Sequence, residues 1–376
     1  MEDKNNNDII EELKNKSVLH WNYRGYKNLP CELELFGDKI EELYLKDNNI
    51  IKLPIWINKL INLRNIYLSD NKLIDFPIEL YDNKKLSVLN LSCNYLKLIP
   101  TTINNLRLLT NLNLDNNFLT QLPPAIKELE YLVYLSICKN ELTILPEWIG
   151  SLKKLETLLI DNNYLEEIPN RLTLLSTLKT LSICSNRLKY LPLNSFISQV
   201  NICFNYNPDL NYLSYPMLSQ LLELGWDDEK DIISNSNCVK KSSNFNIKLA
   251  VKFNDMSIEK NKIIELPRQL FGIFKNYYNE PVSLWELSLR RLYQTDNAFE
   301  LLKPDIFHKL MLNGPISVCL SNKCQQPIFT EAWLIVGTTE ESSLLVVALF
   351  CSQKCLCTFD PQSYGINELP WEIYTE

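Results

Sequence analysis

Glycine and histidine are scarce in this sequence, which has 8 glycines and 2 histidines among its 376 residues. The chain contains no glycine-rich phosphate-binding loop and no G-x-S-x-G nucleophile motif. Neither His20 nor His308 stands in a motif that marks a catalytic base. We therefore expect a protein that is not an enzyme, with one alternative left open, a cysteine–histidine pair brought together by the fold.

Long apolar stretches and basic clusters are also missing. The longest apolar run, "LLVVALFC" at 344–351, is far too short to span a bilayer. The net charge is −7, and no basic stripe would bind nucleic acid. The first residues, "MEDKNNNDIIEELKNK", are polar where a signal peptide needs an apolar core. We expect an intracellular, cytoplasmic protein, with the nucleus as an alternative, and neither a membrane span nor a nucleic-acid partner.

A repeat of 23 residues dominates positions 40 to 196. Its pattern is L-x-x-L-x-L-x-x-N-x-L-x-x-L-P, as in "LTNLNLDNNFLTQLPPAIKELEY". All seven copies keep the asparagine and the proline; the asparagines are Asn48, Asn71, Asn94, Asn117, Asn140, Asn163 and Asn186. This length and spacing are the signature of leucine-rich repeats. The sequence thus predicts an α/β fold, a leucine-rich-repeat solenoid of horseshoe form.

Each residue type that recurs in the repeat has a structural role. The aliphatic residues point into a core that no single repeat can close, so stability comes from stacking. The asparagine side chain is expected to satisfy backbone groups where each strand ends, and the proline starts the return segment. Before the repeats, "VLHWNYRGYKNLP" has Trp21 and Arg24 in place of leucine and asparagine, and "ISQVNICFNYNPDLNYL" after them keeps Asn205. We interpret both as capping repeats.

Outward side chains of the strands form the concave face on which such folds bind partners. Aromatic, acidic and amide side chains fill these positions, a composition that suits a protein partner with basic character; the alternative is a face that is merely solvated. The candidate partner-binding residues are Tyr44, Asp47, Tyr67, Asp70, Asn90, Asn113, Asp115, Tyr134 and Asp161. Cysteines near this face lie in different repeats and are not expected to bind a metal; they are Cys93, Cys138, Cys184 and Cys203.

Five of the eleven cysteines lie within residues 319–357. Cys319 and Cys324 precede a predicted strand, "IFTEAWLIVG", and Cys351 and Cys355 follow a second one, "SLLVVALF". A hairpin of these strands would bring the four thiols together at its open end, which predicts a structural zinc site with four cysteine ligands. The alternative is that they are buried small apolar residues. The roles of Cys238 and Cys357 stay open.

The predicted organisation has five parts. Residues 1–15 form a polar segment, residues 16–225 the repeat domain with caps at 16–39 and 197–225, and residues 226–262 a linker or insertion. Residues 263–315 form a helical segment, and residues 316–376 a small α+β module with a hairpin like that of a zinc ribbon. The predicted helices are "LPRQLFGIFKNYY", "PVSLWELSLRRLYQ" and "LKPDIFHKLML". In the second, Ser283, Glu286, Arg290 and Gln294 are expected to form a narrow stripe in water.

The whole chain resembles the leucine-rich repeat-containing protein 28 family. The resemblance is carried by "LHWNYRGYKNLPCELELF", the 23-residue repeats, "VSLWELSLRRLYQT" and "CSQKCLCTFD". It implies an interaction protein built on repeats. Residues 226–262 match poorly, and where the family has a further paired-cysteine element this chain has Cys238 alone.

The segment "SLWELSLRRL" also resembles the elongin-C-binding box of cullin-RING substrate receptors. The matching positions are Ser283, Leu284, Ser288 and Leu292, and "LLKPDIFHKL" resembles the helix by which such receptors bind a cullin. The resemblance implies that Leu284 enters a groove on the adaptor while Trp285, Leu289 and Tyr293 pack inside the module; alternatively, both helix faces pack inside it. The leading hypothesis is therefore a substrate receptor of an elongin/cullin ubiquitin ligase. The alternative is a signalling scaffold resembling leucine-rich-repeat proteins of the Ras pathway, with a purely structural C-terminal module.

Overall fold

A computed structural model describes residues 2–224, 247–252, 262–267, 269–274, 282–294, 315–321, 324–339 and 344–374; for residues 2–8, 284, 285 and 292 it describes the backbone alone. The chain divides into two compact units. The first comprises Met1–Tyr164, Leu175–Asn186 and Val200–Phe204. The second comprises Leu165–Leu174, Arg187–Gln199 and Asn205–Glu376. Every described helix is too short or too polar to traverse a bilayer.

Nine short parallel strands form one sheet in the first unit, in the order of the sequence. The strands are β1 (Val18–His20), β2 (Glu42–Tyr44), β3 (Asn65–Tyr67), β4 (Val88–Asn90), β5 (Asn111–Asn113), β6 (Tyr134–Ser136), β7 (Thr157–Leu159), β8 (Thr180–Ser182) and β9 (Asn201–Cys203). Each strand has three residues, and in β1 to β8 the central side chain is buried in the core, whereas Ile202 of β9 is half-buried. The repeat spacing therefore places one strand in every repeat. The predicted leucine-rich-repeat fold is confirmed.

Short 3₁₀ helices follow the prolines of the repeats. In five of them the repeat proline is the residue directly before the helix and lies in extended backbone or close to it, which breaks the strand and starts the return. The helices along the repeats are Cys31–Phe36, Ile55–Lys59, Ile78–Asp82, Thr101–Asn105, Pro124–Glu128, Glu147–Ser151 and Asn170–Leu174. They supply one further buried aliphatic residue per turn, such as Ile103 and Ile126.

The repeat asparagines form the predicted ladder. Asn117 Nδ2 donates to the carbonyls of Leu91, Leu114 and Asp115 at 3.0, 3.1 and 3.2 Å. Its Oδ1 accepts from Leu96 N at 3.0 Å. One buried amide therefore satisfies backbone groups of two neighbouring repeats, which explains why the same residue type recurs at this position.

The eighth position of each repeat has left-handed backbone, with φ between 54° and 57°. The residues there are Asp47, Asp70, Cys93, Asn116, Lys139, Asn162 and Ser185. None of them is a glycine, and only asparagine and aspartate adopt this conformation readily. The repeats therefore carry backbone strain at Cys93, Lys139 and Ser185.

The last repeat has a different register from the predicted one. β9 pairs Asn201 with Thr180 and Cys203 with Ser182, which is two residues away from the expected alignment. In the second unit, Leu188 N donates to Asn207 Oδ1 at 3.1 Å, so Asn207 and not Asn205 continues the asparagine ladder. The repeat before it is two residues shorter than the others, and this deletion moves the register.

The first repeat is capped by helix α1 (Glu2–Asn15), within the segment predicted only as polar. Leu13 is fully buried, and Glu12 binds two residues of the capping repeat. Glu12 Oε2 accepts from Trp21 Nε1 and from Arg24 Nη2, both at 3.2 Å. The two unusual residues of that repeat thus serve to hold the capping helix.

The second unit is built around one antiparallel hairpin. The described strands of this unit are β10 (Tyr212–Ser214), β11 (Lys248–Val251), β12 (Lys262–Glu265), β13 (Gly272–Phe274), β14 (Ser317–Val318), β15 (Pro327–Ile328), β16 (Glu331–Thr339), β17 (Leu345–Phe350), β18 (Ile366–Glu368) and β19 (Trp371–Ile373). The hairpin strands β16 and β17 are almost completely buried and form the centre of a five-stranded sheet, of order β10-β17-β16-β13 with β18 also on β16. A three-stranded sheet has the order β12-β11-β19, and β14 pairs with β15.

Among its described residues, the second unit also contains three α-helices, α2 (Tyr215–Glu223), α3 (Leu284–Tyr293) and α4 (Gln353–Cys357), and a 3₁₀ helix, Pro361–Tyr364. The predicted hairpin and the helix over "PVSLWELSLRRLYQ" are both present. The predicted helix over "LPRQLFGIFKNYY" is wrong in part, since residues 272–274 form β13, paired in parallel with β16. The helix predicted over "LKPDIFHKLML" lies outside the described residues.

Two predicted segment roles also differ from the structure. β10 lies within the second predicted cap but pairs with β17, so pairing with the hairpin begins before residue 225. The predicted linker at 226–262 contains β11, which pairs with β12 and β19; the linker's other residues, apart from 247, 252 and 262, lie outside the described residues. The polar composition of residues 226–262 predicts a linker, so β11 has no signal in the sequence.

Candidate functional sites

An aromatic stack lies on the outward face of the first three strands. Tyr44 and Tyr67 occupy the same position in neighbouring repeats, and their ring centroids are 4.5 Å apart with an interplanar angle of 10°. His20 stacks on Tyr44 from β1 at 4.6 Å. In-register parallel pairing produces this stack, because it aligns His20, Tyr44 and Tyr67 across adjacent strands. His20, Tyr44 and Tyr67 are called the aromatic stack below.

Acidic residues share the outward face with the aromatic stack. Tyr44 Oη donates to Glu42 Oε2 at 2.8 Å, and this hydrogen bond, with burial, raises the pKa of Tyr44. Asp47 is exposed beside it, and Asp70 forms an ion pair of 3.8 Å with Lys46. The outward positions of these two repeats carry four acidic residues, Glu41, Glu42, Asp47 and Asp70, against two basic ones, Lys46 and Arg64. The surface has apolar rings and a negative balance of charge.

The other predicted face residues make hydrogen bonds within the sheet. Asp115 Oδ1 accepts from Ser136 Oγ at 2.6 Å and from Cys138 N at 2.7 Å. Asp161 makes the same pair of contacts with Ser182 and Cys184 two repeats further along. These carboxylates fix the surface rather than offering all their acceptors to a partner.

The two amide candidates are likewise used locally. Asn90 Oδ1 accepts from the backbone and hydroxyl of Ser92, and Asn113 Oδ1 accepts from Asp115 N. Tyr134 stands on β6, three strands and about 14 Å from Tyr67 at the usual strand spacing. The structure therefore brings together Tyr44, Asp47, Tyr67 and Asp70, and leaves Tyr134 apart.

Sequence reasoning missed His20 and Glu42 as members of the aromatic site. Alignment of the first cap with the repeats places His20 in the same column as Tyr44 and Tyr67, and that column was the available signal. The cysteines near this face lie in different repeats; burial raises the pKa of Cys138 to about 11, which makes its thiol unreactive.

Four cysteine thiols meet in the second unit. The Sγ atoms of Cys319, Cys324, Cys351 and Cys355 all lie within 4.8 Å of one another. Cys324 Sγ is 3.3 Å from Cys351 Sγ, and Cys351 Sγ is 3.7 Å from Cys355 Sγ. These residues are called the cysteine cluster below. They are the four residues predicted from the spacing of the two pairs.

Local structure explains the convergence. Cys319 directly follows β14, and Cys324 lies between β14 and β15, where its backbone N donates to Ser321 O. Cys351 directly follows β17, and Ser352 caps α4 by accepting from Cys355 N at 3.3 Å. A hydrogen bond from Leu320 N to Leu349 O joins the two elements.

The donor set fits a tetrahedral zinc ion. Zinc bound to four thiolates at about 2.3 Å separates the sulfurs by about 3.8 Å, close to the spacings in the cysteine cluster. Soft thiolate ligands select zinc among the common divalent ions. Hydrogen bonding from Cys351 lowers the pKa of Cys319, which favours the thiolate form that a metal ligand requires. The cluster could therefore hold one metal ion.

Helix α3 is fixed to the hairpin by a buried carboxylate. Glu286 is fully buried; its Oε1 accepts from Phe329 N at 2.9 Å, and its Oε2 from Thr330 N and Thr330 Oγ1 at 2.7 and 2.8 Å. Arg290 Nε donates to Glu286 Oε1 at 2.9 Å. Leu289 is fully buried on the same side of the helix.

The predicted solvated stripe of α3 is therefore wrong. Glu286 and Arg290 form a buried ion pair, because Phe329 and Thr330, in the connection between β15 and β16, supply the backbone donors that a buried carboxylate requires. Ser283 is partly buried, and its Oγ caps the helix by accepting from Glu286 N. Only Gln294 is exposed as predicted.

The opposite face of α3 is the exposed one. Leu287 is 45% exposed, and Ser288 and Arg291 are also exposed. Tyr293 packs edge-to-face on Phe329, as expected for the inner face. The side chains of Leu284, Trp285 and Leu292 lie outside the described residues, so Ser283 and Ser288 are the two members of the predicted adaptor-binding set that the structure places.

Comparisons with known proteins identify the repeats. A family model described as "Leucine rich repeat" matches residues 107–165, and a second one with that description matches residues 85–106. No curated protein gives a significant match. The finer resemblance to the leucine-rich repeat-containing protein 28 family stays a prediction.

A solved structure shows the same fold. A leucine-rich-repeat protein of Leptospira interrogans is similar with a TM-score of 0.51 and 29% identity, over 56% of this chain and 54% of that one, so this chain spans about half the length of that relative. Internalin C2 of Listeria monocytogenes gives a TM-score of 0.43 and 25% identity, over 48% of this chain and 76% of that one. Repeats of this fold imply protein–protein interaction.

Proposed function

We propose that this chain is a non-enzymatic, intracellular protein-recognition protein whose aromatic stack binds a partner segment that presents arginine or lysine. The observation that carries the proposal is the contiguous surface of His20, Tyr44 and Tyr67 with acidic groups around it. A guanidinium or ammonium group gains cation–π energy over such rings. The neighbouring carboxylates Asp47 and Asp70 add charge-assisted hydrogen bonds.

Selection from a displayed random peptide library tests the chemistry of this site. The full chain should enrich peptides with arginine or lysine, and the enrichment should weaken as salt is raised because the carboxylates are exposed. Enrichment of acidic peptides, or of peptides without any charge, would contradict the proposal.

We further propose that the cysteine cluster holds one structural zinc ion. Cys319, Cys324, Cys351 and Cys355 supply the four ligands, and bound zinc adds folding free energy by joining the β14–β15 connection to the end of β17. Elemental analysis of protein purified without chelator should give about one zinc per chain, the capacity of a single four-cysteine site. Protein that melts at the same temperature with and without zinc would contradict a structural role.

A finer proposal makes the chain a substrate receptor of an elongin/cullin ubiquitin ligase. In that case the aromatic stack takes the substrate and α3 takes the adaptor. The support in the structure is the exposed face of α3, which includes Leu287 and Ser288 while Glu286, Leu289 and Arg290 hold the helix to the hairpin. A partner can bind the exposed face in helix-in-groove fashion without releasing the inner face.

Two variants test adaptor binding. Leu284→Ala removes the expected anchor and should reduce co-purification with elongins B and C by roughly thirtyfold, the effect of losing about 2 kcal/mol. Ser288→Lys places a bulky charge at an exposed position of the same helix, so it should block adaptor binding with little change in melting temperature. Arg291→Lys is the matched control and should behave as wild type.

The alternative function is a signalling scaffold whose C-terminal module is structural. The buried Glu286–Arg290 pair favours it, because a helix so firmly held has a structural role without any adaptor. A wild-type protein that captures its partner but no elongin at any salt concentration would support the scaffold and contradict the receptor.

A further inference from the structure

The guanidinium group of Arg290 connects α3 with the cysteine cluster. Its Nε donates to Glu286, and its Nη1 donates to the carbonyl oxygen of Cys351 at 3.2 Å. Cys351 is one of the four residues whose thiols meet in the cluster. A single side chain therefore contacts both the buried carboxylate that fixes α3 and the backbone of a metal-ligand residue.

The third nitrogen of this guanidinium has no partner among the described residues. Arg290 is 7% exposed, and its Nη2 is a buried donor without an acceptor. A buried donor left unpaired is costly, and most such groups in folded proteins have an acceptor. Nη2 belongs to the same planar fork as Nη1, which already reaches the cluster through Cys351 O. An acceptor on this side of Arg290 would complete its hydrogen bonding.

A metal-loaded cluster would provide that acceptor. Four thiolates around one divalent cation carry a net charge of −2, and the sulfurs accept hydrogen bonds in place of the protons they have lost. A guanidinium is the side chain best suited to such a site, because it combines a permanent positive charge with several donors. Outer-sphere partners of this kind hold metal ligands in position.

We propose that Arg290 is the outer-sphere partner of the metal centre, so that metal occupancy and the attachment of α3 to the hairpin are coupled. Metal binding strengthens the hold of Arg290 on the cluster, and through Glu286 it fixes α3. Loss of the metal leaves the guanidinium with an unpaired nitrogen and loosens the helix. This inference rests on the zinc site proposed above, and it makes Arg290 a positioning residue for the metal.

Hydrogen exchange on the full-length wild-type chain tests the coupling without any substitution. Amide exchange across α3 is measured by mass spectrometry with zinc bound and after removal by a chelator. We expect exchange in α3 to become at least about tenfold faster without zinc, the smallest effect expected when an outer-sphere link is lost. The repeat strands β4 and β5 serve as the internal control and should not change.

The outcomes separate this inference from the zinc proposal. If the chain holds one zinc and α3 exchanges at the same rate with and without it, the coupling is wrong and the zinc site stands. If elemental analysis and cobalt(II) titration both find no metal, the zinc proposal and the inference fail together. Both measurements use protein that has been reduced and handled under nitrogen, and a cluster that still forms disulfides in place of binding metal counts as this second outcome.

Variants of Arg290 test its own role. Arg290→Gln should release zinc to a competing chelator about 10- to 100-fold faster than wild type and alter the thiolate-to-cobalt charge-transfer band. Arg290→Lys keeps the charge, so it should release zinc more slowly than Arg290→Gln but faster than wild type. Arg291→Gln removes an exposed charge from the next residue and should release zinc at the wild-type rate. Release from Arg290→Gln at the rate of Arg291→Gln would overturn the proposal. Should Arg290→Gln fail to fold, the wild-type exchange measurement decides.

Discussion

Replacing Glu286 with glutamine tests whether α3 is fixed by its buried carboxylate. The substitution keeps the size of the side chain and removes its charge. In the folded protein the two carboxylate oxygens accept four hydrogen bonds, two at each oxygen. Glutamine has one oxygen and one NH₂ group, so two of the four donors would lose their acceptor and face another donor.

The expected cost follows from those lost contacts. Each buried donor left without an acceptor costs about 1–3 kcal/mol. Arg290 also loses its charged partner in a buried site, and removing one member of such a pair typically costs about 3–5 kcal/mol. We expect Glu286→Gln to destabilise the second unit by about 3–5 kcal/mol, a large part of the stability of an ordinary domain.

Hydrogen exchange in denaturant is the suitable assay, because a chain with two compact units need not unfold in one step. Peptides covering β16 and β17 report on the second unit, and peptides covering β4 and β5 report on the repeats. Glu372→Gln is the matched control: it makes the same chemical change at an exposed carboxylate paired with Lys252. That variant should lose less than about 1 kcal/mol. A loss from Glu286→Gln as small as that of the control would refute the account of how α3 is held.

Three further predictions concern the repeats. Asn117→Ala removes one rung of the asparagine ladder and leaves Leu96 N and three carbonyls without their partner, so chemical denaturation should show a loss of about 2–4 kcal/mol; a loss below about 0.5 kcal/mol would contradict the ladder's role. Lys139→Asn relieves strained left-handed backbone and should increase the free energy of unfolding by about 0.5–1 kcal/mol, seen as a higher melting temperature, whereas a lower melting temperature would contradict the strain. Burial alone would raise the pKa of Glu12, but its contacts with Trp21 and the charge of Arg24 outweigh burial and lower it. This contribution to stability is complete above the ordinary value near 4.5 and is lost as pH falls through the lowered one, so melting curves of wild type and Glu12→Gln should converge in acid.

The repeats and the hairpin could be predicted from the sequence because their signals are periodic or continuous. A pattern recurring seven times with asparagine and proline at fixed places leaves little freedom for the fold. The hairpin follows from two short, continuous apolar runs, and the convergence of Cys319 and Cys351 follows from their places at its open end. Short-range pattern was sufficient for these features.

The misplaced features depend on information that short-range pattern does not contain. A polar stripe at helical spacing gives the same sequence pattern whether its side chains hydrogen-bond to water or to buried backbone amides. The pattern therefore predicts the wrong environment for Glu286 and Arg290, which are buried. Asn205 and Asn207 both fit the repeat, and only the pairing of β9 distinguishes them. β13 is three residues long, below the length at which periodicity separates strand from helix.

Part of the candidate binding site could not be predicted for a similar reason. The acidic and amide residues of the face were found from their positions in the repeat, but position does not reveal that Asp115 and Asp161 bind their own neighbours. The aromatic stack required the register of β1 with β2, which brings His20 from an atypical repeat into line with two tyrosines. Side-chain hydrogen bonds and the pairing of the cap decide which candidates remain available to a partner.

The most direct test of the central claim compares two double variants of the protein. Isothermal titration calorimetry measures the affinity of each variant for the same basic peptide, taken from the library selection. Tyr44→Ala with Tyr67→Ala removes the aromatic stack. Tyr95→Ala with Phe118→Ala removes a second exposed stacked pair, with ring centroids 6.2 Å apart, that is not part of the proposed site. If the aromatic stack is the binding site, the first variant should lose at least about 2 kcal/mol, roughly thirtyfold in Kd, while the second binds as wild type. Equal affinity of the two variants, each with an unchanged circular dichroism spectrum, would contradict the assignment of protein recognition to this face.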